Sequence, residues 1–230
     1  CQLNILCIDT TGGACSAALM SDDRIVCEQF IHNKLTHSVH LMTLIDNCMK
    51  LSGLTIKQMD AFGVTVGPGS FTGIRIGMCA IKGFCQLADR PAIAIDTLDA
   101  IARGICCHNG IIVPIMDARR GQVYTAIYRE GKKLTGDMAI DMGELLHRLD
   151  GEVLFAGDGV DVHKKYILEN YPSCEFAPVN LRYQRSSSAL LIANEKLKSG
   201  DVVSCENLLP NYLRESQAER IRSQKGNSEQ

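Results

Sequence analysis

The chain has 230 residues, 46% hydrophobic and 22% charged, which suits one large or two small folded domains and excludes a disordered or collagen-like chain. Its 24 Lys and Arg against 26 Asp and Glu leave a net charge of -2, so bulk charge gives it no pull on nucleic acid. Any RNA partner would owe most of its attraction to another subunit. The 11 cysteines cannot all pair, and none form a CxxC. Most lie in apolar runs, Cys7 after Ile5-Leu6 and Cys79 and Cys85 in a helical stretch, where a free thiol behaves as a small hydrophobe. No cationic stretch leads into an apolar core with a cleavage site, and no apolar run is long enough to span a bilayer. The expectation is a reduced, cytoplasmic protein with no membrane partner.

In chain order, Leu3–Asp9 reads as a strand ending in an acid, Thr10-Thr11-Gly12-Gly13 as a turn, and Cys15–Met20 as the returning strand. A third strand, Arg24–Ile31, follows Ser21-Asp22-Asp23, and His37–Leu51 reads as a helix with Thr36 as N-cap and Gly53 near its end. Ala61–Val66 is a strand running into Gly67-Pro68-Gly69-Ser70-Phe71-Thr72-Gly73 and a helix to about Ala88. Ala92–Asp96 is another strand, with a helix through Ala100–Ala102 behind it. The order is β-β-β-α-β-α-β-α.

The pattern then restarts. Ile111–Asp117 is a strand ending in Asp, Ala118-Arg119-Arg120-Gly121 the turn, and Val123–Tyr128 the returning strand. A third strand is expected after Gly131-Lys132-Lys133 and a helix over Met142–Leu149. Val153–Ala156 enters Gly157-Asp158-Gly159 as Val64–Val66 enters Gly67-Pro68-Gly69. Laying Asp9 on Asp117 puts Gly13 on Gly121. The chain therefore reads as a duplicated α/β protein, divided at 1–106 and 107–230, whose second half is a reduced copy. The polar end from Asn207 carries one anchored-looking piece, Pro210–Arg214, and residues beyond Arg222 are expected to fray.

A duplicated βββαβαβα unit with acid-turn strand ends is the plan of the actin-like ATPase and sugar-kinase folds, in which nucleotide lies between the halves. Asp9, Thr10, Thr11, Gly157 and Gly159 are the residues a relict nucleotide site would use, with Asp9 equally readable as an acid satisfying turn amides. Arg119 and Arg120 put two long side chains where bare backbone should wrap a phosphate. The Gly67–Gly73 segment lacks both the Walker ending and the GxGxxG spacing, and its plain role is a tight strand-to-helix turn. The two helices of the first half carry more apolar surface than one core stripe needs. Leu41, Met42, Leu44, Ile45, Cys48, Met49 and Leu51 cover roughly 180° of the first at 3.6 residues per turn. The helix from Phe71 to Ala88 has only Arg75 and Lys82 as charges, and Gly73 and Gly77 form a small-residue notch for another helix. Either the two helices bury each other inside the domain or their surplus faces meet another chain; the favoured reading is a partner surface built from Leu41, Met42, Ile45, Met49, Ile74, Met78, Ile81 and Lys82. His37 and His40 make an HxxH pair, too few ligands for a metal.

Leu3–Thr10, His37-Ser38, Gly67–Gly77, Asp117–Tyr124, Gly157-Asp158-Gly159 and Pro210–Arg214 with Gln217-Ala218-Glu219 together resemble the TsaB (YeaZ) family over nearly the whole chain. That resemblance implies a bacterial, noncatalytic subunit that pairs through helices of its first half with TsaD, the actin-like paralogue holding the metal and active site. TsaE, an ATPase, joins them to make threonylcarbamoyladenosine (t6A) on tRNA. It implies a homodimer when the protein is alone and tRNA contact only through the complex. No cofactor is expected, and a nucleotide would sit at the relict cleft or an intersubunit seam. Where the paralogue has its metal-binding HxxxH, this chain has Thr97 and Ile101, and isoleucine offers no donor atom. An old family label suggests a peptidase, but no nucleophile or metal site supports it. The reading from another class is an active actin-like ATPase or small-molecule kinase.

Overall fold

A computed structural model describes residues 3–33 and 36–214. The frayed end expected beyond Arg222 lies outside the described residues. Strands β1 (Asn4–Asp9), β2 (Cys15–Ser21) and β3 (Arg24–Ile31) form the expected meander, with Asn4 opposite Ser21 and Asp9 opposite Ser16. Asp22 and Asp23, both at positive φ (47° and 61°), make the two-residue turn between β2 and β3. Helix α1 (His37–Ser52) follows Thr36 and stops at Gly53, whose left-handed backbone returns its N–H to the last carbonyls. Strand β4 (Ala61–Gly67) joins β1 in parallel. Helix α2 (Phe71–Ala88) is capped by the Ser70 hydroxyl accepting from Gly73 N–H. Strand β5 (Ala92–Asp96) runs parallel to β4, and its last residue caps α3 (Thr97–Arg103) by accepting from the Leu98 and Asp99 amides. The sheet order is β3-β2-β1-β4-β5.

The second half repeats it. Strands β6 (Ile111–Asp117), β7 (Gln122–Thr125), β8 (Tyr128–Arg129), β9 (Lys132–Lys133) and β10 (Met138–Asp141) precede α4 (Met142–His147). Then come β11 (Val153–Ala156), α5 (Gly159–Asn170), β12 (Glu175–Phe176), α6 (Val179–Arg182) and α7 (Ser186–Ser199). The path β10-β7-β6-β11-β12 has the first sheet's order, and with the actin-like plan this makes the fold a duplicated one. Two details differ from expectation. The returning strand Val123–Tyr128 is interrupted: β7 pairs with Ile115–Asp117 and β8 with Ile111–Ile112, in one register, with the gap opposite Pro114. Proline has no N–H to give the ladder. The residues at Lys132-Lys133 form only a short hairpin with β8, and the third-strand position is taken by β10 on β7.

Alternation along the strands sends side chains to two cores. In the first sheet Leu6, Ile8, Ala17, Leu19, Phe62 and Val64 face α1 and α2. Ile5, Cys7, Ala18 and Met20 face α7, a helix from late in the chain that crosses back to cover the first sheet through Ala189, Leu190 and Ala193. In the second sheet Val113, Ile115, Val123 and Phe155 pack under α4 and α5. Its other face meets α3, where Leu98, Ile101 and Ile105 touch Ile112, Met116 and Leu154 and join the halves. Behind α7 a strap returns along the first half. Val203 bridges to Ala92 at the β5 edge, Asn211 N–H donates to Val66 O at 2.8 Å, and Tyr212 stacks on Phe71 at 3.8 Å between ring centroids. Arg214 then reaches the second half, Nη1 donating to Ala118 O at 3.0 Å.

Candidate partner face and a closed cleft

The partner-surface residues separate into two groups. Leu41, Ile45, Met49, Ile74, Met78 and Ile81 are buried in the chain's own core, so the expectation that they face a partner is corrected. Helices α1 and α2 share one face of the first sheet, α1 over β2 and β3 and α2 over β4 and β5, and the strap closes on the start of α2, which uses up most of the wide apolar arc. Met42 remains exposed at 55% and Lys82 is half-buried. The outward stripes run through Val39, Met42, Thr43, Asp46 and Lys50 on α1, and Thr72, Arg75, Cys79, Gly83 and Gln86 on α2. Cys79 therefore lies in solvent, against the expectation that it is a core thiol, whereas Cys85 is buried.

The small-residue notch also faces inward. A Cβ on Gly73 would lie 1.9 Å from Thr10 O, and one on Gly77 would lie 2.5 Å from Thr10 Oγ1. What fills the notch is the turn after β1. Thr10 Oγ1 donates to Gly73 O at 2.7 Å and Ser70 N–H to Thr11 O at 2.7 Å. The glycine-rich segment is thus a packing device between β1 and α2, as its plain reading held. Close contact at this place requires glycine because the obstacle is backbone.

Asp9, Thr10 and Thr11 are all at most 1% exposed. Asp9 Oδ1 accepts from Thr11 N–H at 2.9 Å and Thr11 Oγ1 at 2.8 Å. Burial pushes its carboxyl above the ordinary range, with the Thr11 hydrogen bonds pulling the other way. Gly157 and Gly159 are buried too, backed against Ile115 O, where added Cβ atoms would lie 2.1 and 2.9 Å away. All five relict-site residues are therefore packed on this chain itself. Between the halves, Asp158 Oδ2 accepts from Gly13 N–H at 2.9 Å. A carboxylate of the second half thus engages the turn amide that an actin-like plan would turn toward a phosphate. Burial pushes Asp158 up while the Gly13 bond lowers it. Gln184, fully buried, lies beside Gly12: a Cβ there would be 2.1 Å from its Nε2.

At the second turn Arg119 and Arg120 are exposed, both with left-handed backbone (φ 63° and 55°), and Arg119 N–H donates to Asp117 Oδ1 at 2.9 Å. Such conformations cost about 1 kcal/mol or more each for residues with a Cβ. His37 and His40 part company, to Gly12 O at 2.8 Å and Asn33 Nδ2 at 3.1 Å. Thr97 is buried, and Ile101 is buried in the contact between α3 and the second half. Sequence reading missed Asp158, visible only as the middle of a Gly-Asp-Gly turn, and a polar cluster around Asp96, Lys133, Asp137 and Asn211. The cluster's members are scattered along the chain and share no motif.

Fold and closed cleft define a duplicated actin-like protein whose interhalf turn is held by its own carboxylate. A family model described as "TsaD: tRNA N6-adenosine threonylcarbamoyltransferase" matches residues 26–221. The chain is 31% identical to the Bacillus subtilis tRNA threonylcarbamoyladenosine biosynthesis protein TsaB over 97% of its own length and 100% of that protein's. It is 30% identical to the Escherichia coli protein of the same name, over 94% of this chain and 96% of that one. YeaZ from Pseudomonas aeruginosa superposes with a TM-score of 0.77 at 23% identity, over 92% of this chain and all of that one. The chain belongs to the TsaB (YeaZ) family. An activator of 2-hydroxyisocaproyl-CoA dehydratase from Clostridium difficile, solved with ADPNP, shares the fold with a TM-score of 0.51 at 12% identity.

Proposed function

We propose that this protein acts in threonylcarbamoyladenosine formation on tRNA as a noncatalytic subunit that pairs with and activates a TsaD-type transferase, joined by a TsaE-type ATPase. The observation that carries the reading is the full-length match to relatives named for that biosynthesis. The plugged turn at Gly13 supports a noncatalytic role, as do Thr97 and Ile101 where the catalytic paralogue carries histidines. The partner face is the outward stripe of α1 and α2, around Val39, Met42, Cys79 and Gly83, with Lys82 at its margin. Alone, the same stripe would pair two copies. Activation requires that the partner's active conformer bind this face more tightly than its inactive one.

The test substitutes outward positions only. Met42→Asp and Gly83→Glu alter exposed sites, and a Cβ at Gly83 meets nothing within 4 Å. Replacing an exposed helical glycine adds up to about 1 kcal/mol of helix propensity. Neither variant should fall in thermal midpoint, yet both should lose co-elution with the TsaD-type subunit and the modified nucleoside in tRNA. Intact complex and intact modification in both would overturn the proposed face.

A further inference from the structure

The turn after β6 carries its charge where the backbone suits it least. Arg119, Arg120 and Gly121 follow one another in left-handed backbone, at φ 63°, 55° and 76°. Glycine or asparagine would take the first two places more easily, yet both hold an exposed arginine. Residues kept in such conformations gather at functional sites. The carboxylates flanking the turn are engaged by backbone, Asp117 Oδ1 accepting from Arg119 N–H and Asp141 Oδ1 from Gly143 N–H. Among the described residues neither Arg119 nor Arg120 makes an ion pair.

Positive charge continues across the seam onto the strap. Arg214 Nη1 donates to Ala118 O at 3.0 Å, which spends one of the five N–H donors of its guanidinium. It too has no ion pair among the described residues. Half-buried Phe71, Tyr124 and Tyr212 line the recess beside it, and the Arg75 guanidinium lies 5.2 Å over the Phe71 ring. Arginines beside aromatic rings match what a nucleic-acid strand presents, phosphates and base faces. A free nucleotide does not fit here. The recess encloses about 10 Å³, room for a water at most, and the cleft behind Gly13 is closed by Asp158. A phosphate ligand must therefore lie across the open surface.

We propose that Arg119, Arg120 and Arg214 form a phosphate-contact patch with which this chain itself grips the backbone of tRNA. The proposal rests on the tRNA reading above and adds a direct contact to it. A net charge of -2 does not oppose it, because three guanidinium groups without carboxylate partners set the local potential. Their planar forks suit phosphate oxygens, which they can meet two bonds at a time. Contacts of this kind fix the register and orientation of an RNA and read no sequence, so the patch positions tRNA against the complex.

The test is binding of fluorescein-labelled, unmodified tRNA to the full chain mixed with the TsaD-type subunit, followed by anisotropy between about 50 and 200 mM salt. The double variant Arg119→Gly, Arg120→Gly keeps the left-handed turn without steric cost, so its thermal midpoint should not fall. Its slope of log affinity against log salt should shrink by about 1 for each arginine, with affinity about tenfold lower at the low-salt end. Arg214→Gln keeps a donor for Ala118 O and should lose about 1 in slope. Unchanged affinity and slope in both folded variants would overturn the patch. So would ATP binding that disappears with the two turn arginines while tRNA binding stays intact, since that assigns them to a nucleotide. Gel filtration of the same mixtures keeps the two readings apart. Failure of the native chain to co-elute with the TsaD-type subunit strikes the partner reading, and the titration is then read on the full chain alone, where the same loss of slope is expected.

Discussion

The two halves share a strand order and differ in what they hang on it. In the first, α1 and α2 have 16 and 18 residues, while their counterparts α4 and α5 have 6 and 12. Asp9 is buried under the first turn, whereas its counterpart Asp117 is exposed. The first turn is closed by glycines and a foreign carboxylate, the second by two arginines in left-handed backbone. The two copies keep one frame and finish the turn after its first strand in different ways. Long helices survived where a partner face is proposed.

The comparison is broken most severely by charging the core that the longer helices create. Ile45→Asp puts a carboxylate among Leu41, Cys48 and the β2 side chains, and should cost about 4 kcal/mol or more in urea unfolding. Loss of partner binding in that variant would report unfolding, which is why the outward positions are the proper probes.

A milder test sets Gly73→Ala against Gly157→Ala, one glycine from each half. The first forces a Cβ onto Thr10 O, and the second onto Ile115 O with a φ of 96° besides. Each should destabilise by about 1–3 kcal/mol, with the second half's variant the worse because its backbone conformation disfavours any side chain. Equal thermal shifts would show that space alone decides the cost.

The smallest effect concerns Asp9. Its carboxyl is raised in the folded chain by burial, so the stability that Asp9 itself contributes is full in acid and is lost as pH climbs through that raised value. Asp9→Asn keeps an oxygen acceptor for the Thr11 donors and removes the titration. The variant should gain on the native protein at pH 7 compared with pH 4, as urea midpoints at the two values would read. It should also leave no ATP turnover to lose.

The element order was legible as far as β11 because periodicity and turn residues are local, whereas α5, β12, α6 and α7 went unread. Asp22-Asp23 and Gly53 marked their boundaries through backbone chemistry that needs no tertiary partner, while Thr36 stands at its boundary without a side-chain cap bond. The direction of the helix faces was not legible. An arc of roughly 180° says a helix needs covering, but not that a neighbouring helix, a sheet and a late strap share the work. Gly73 and Gly77 announced a close approach and could not say that its other side was Thr10. The break in the returning strand was readable in Pro114, whose missing donor acts across the ladder on residues a dozen positions away. Asp158 and the Asp96 cluster escaped because their partners come from the other half.

Helix α7 carries a consequence for synthesis. Ile5, Cys7, Ala18 and Met20 are sealed by Ala189, Leu190 and Ala193, residues the ribosome adds long after the first sheet. A nascent chain with its first sheet already assembled leaves that oily side bare until α7 has been made, and trapping or aggregation would strike in that interval.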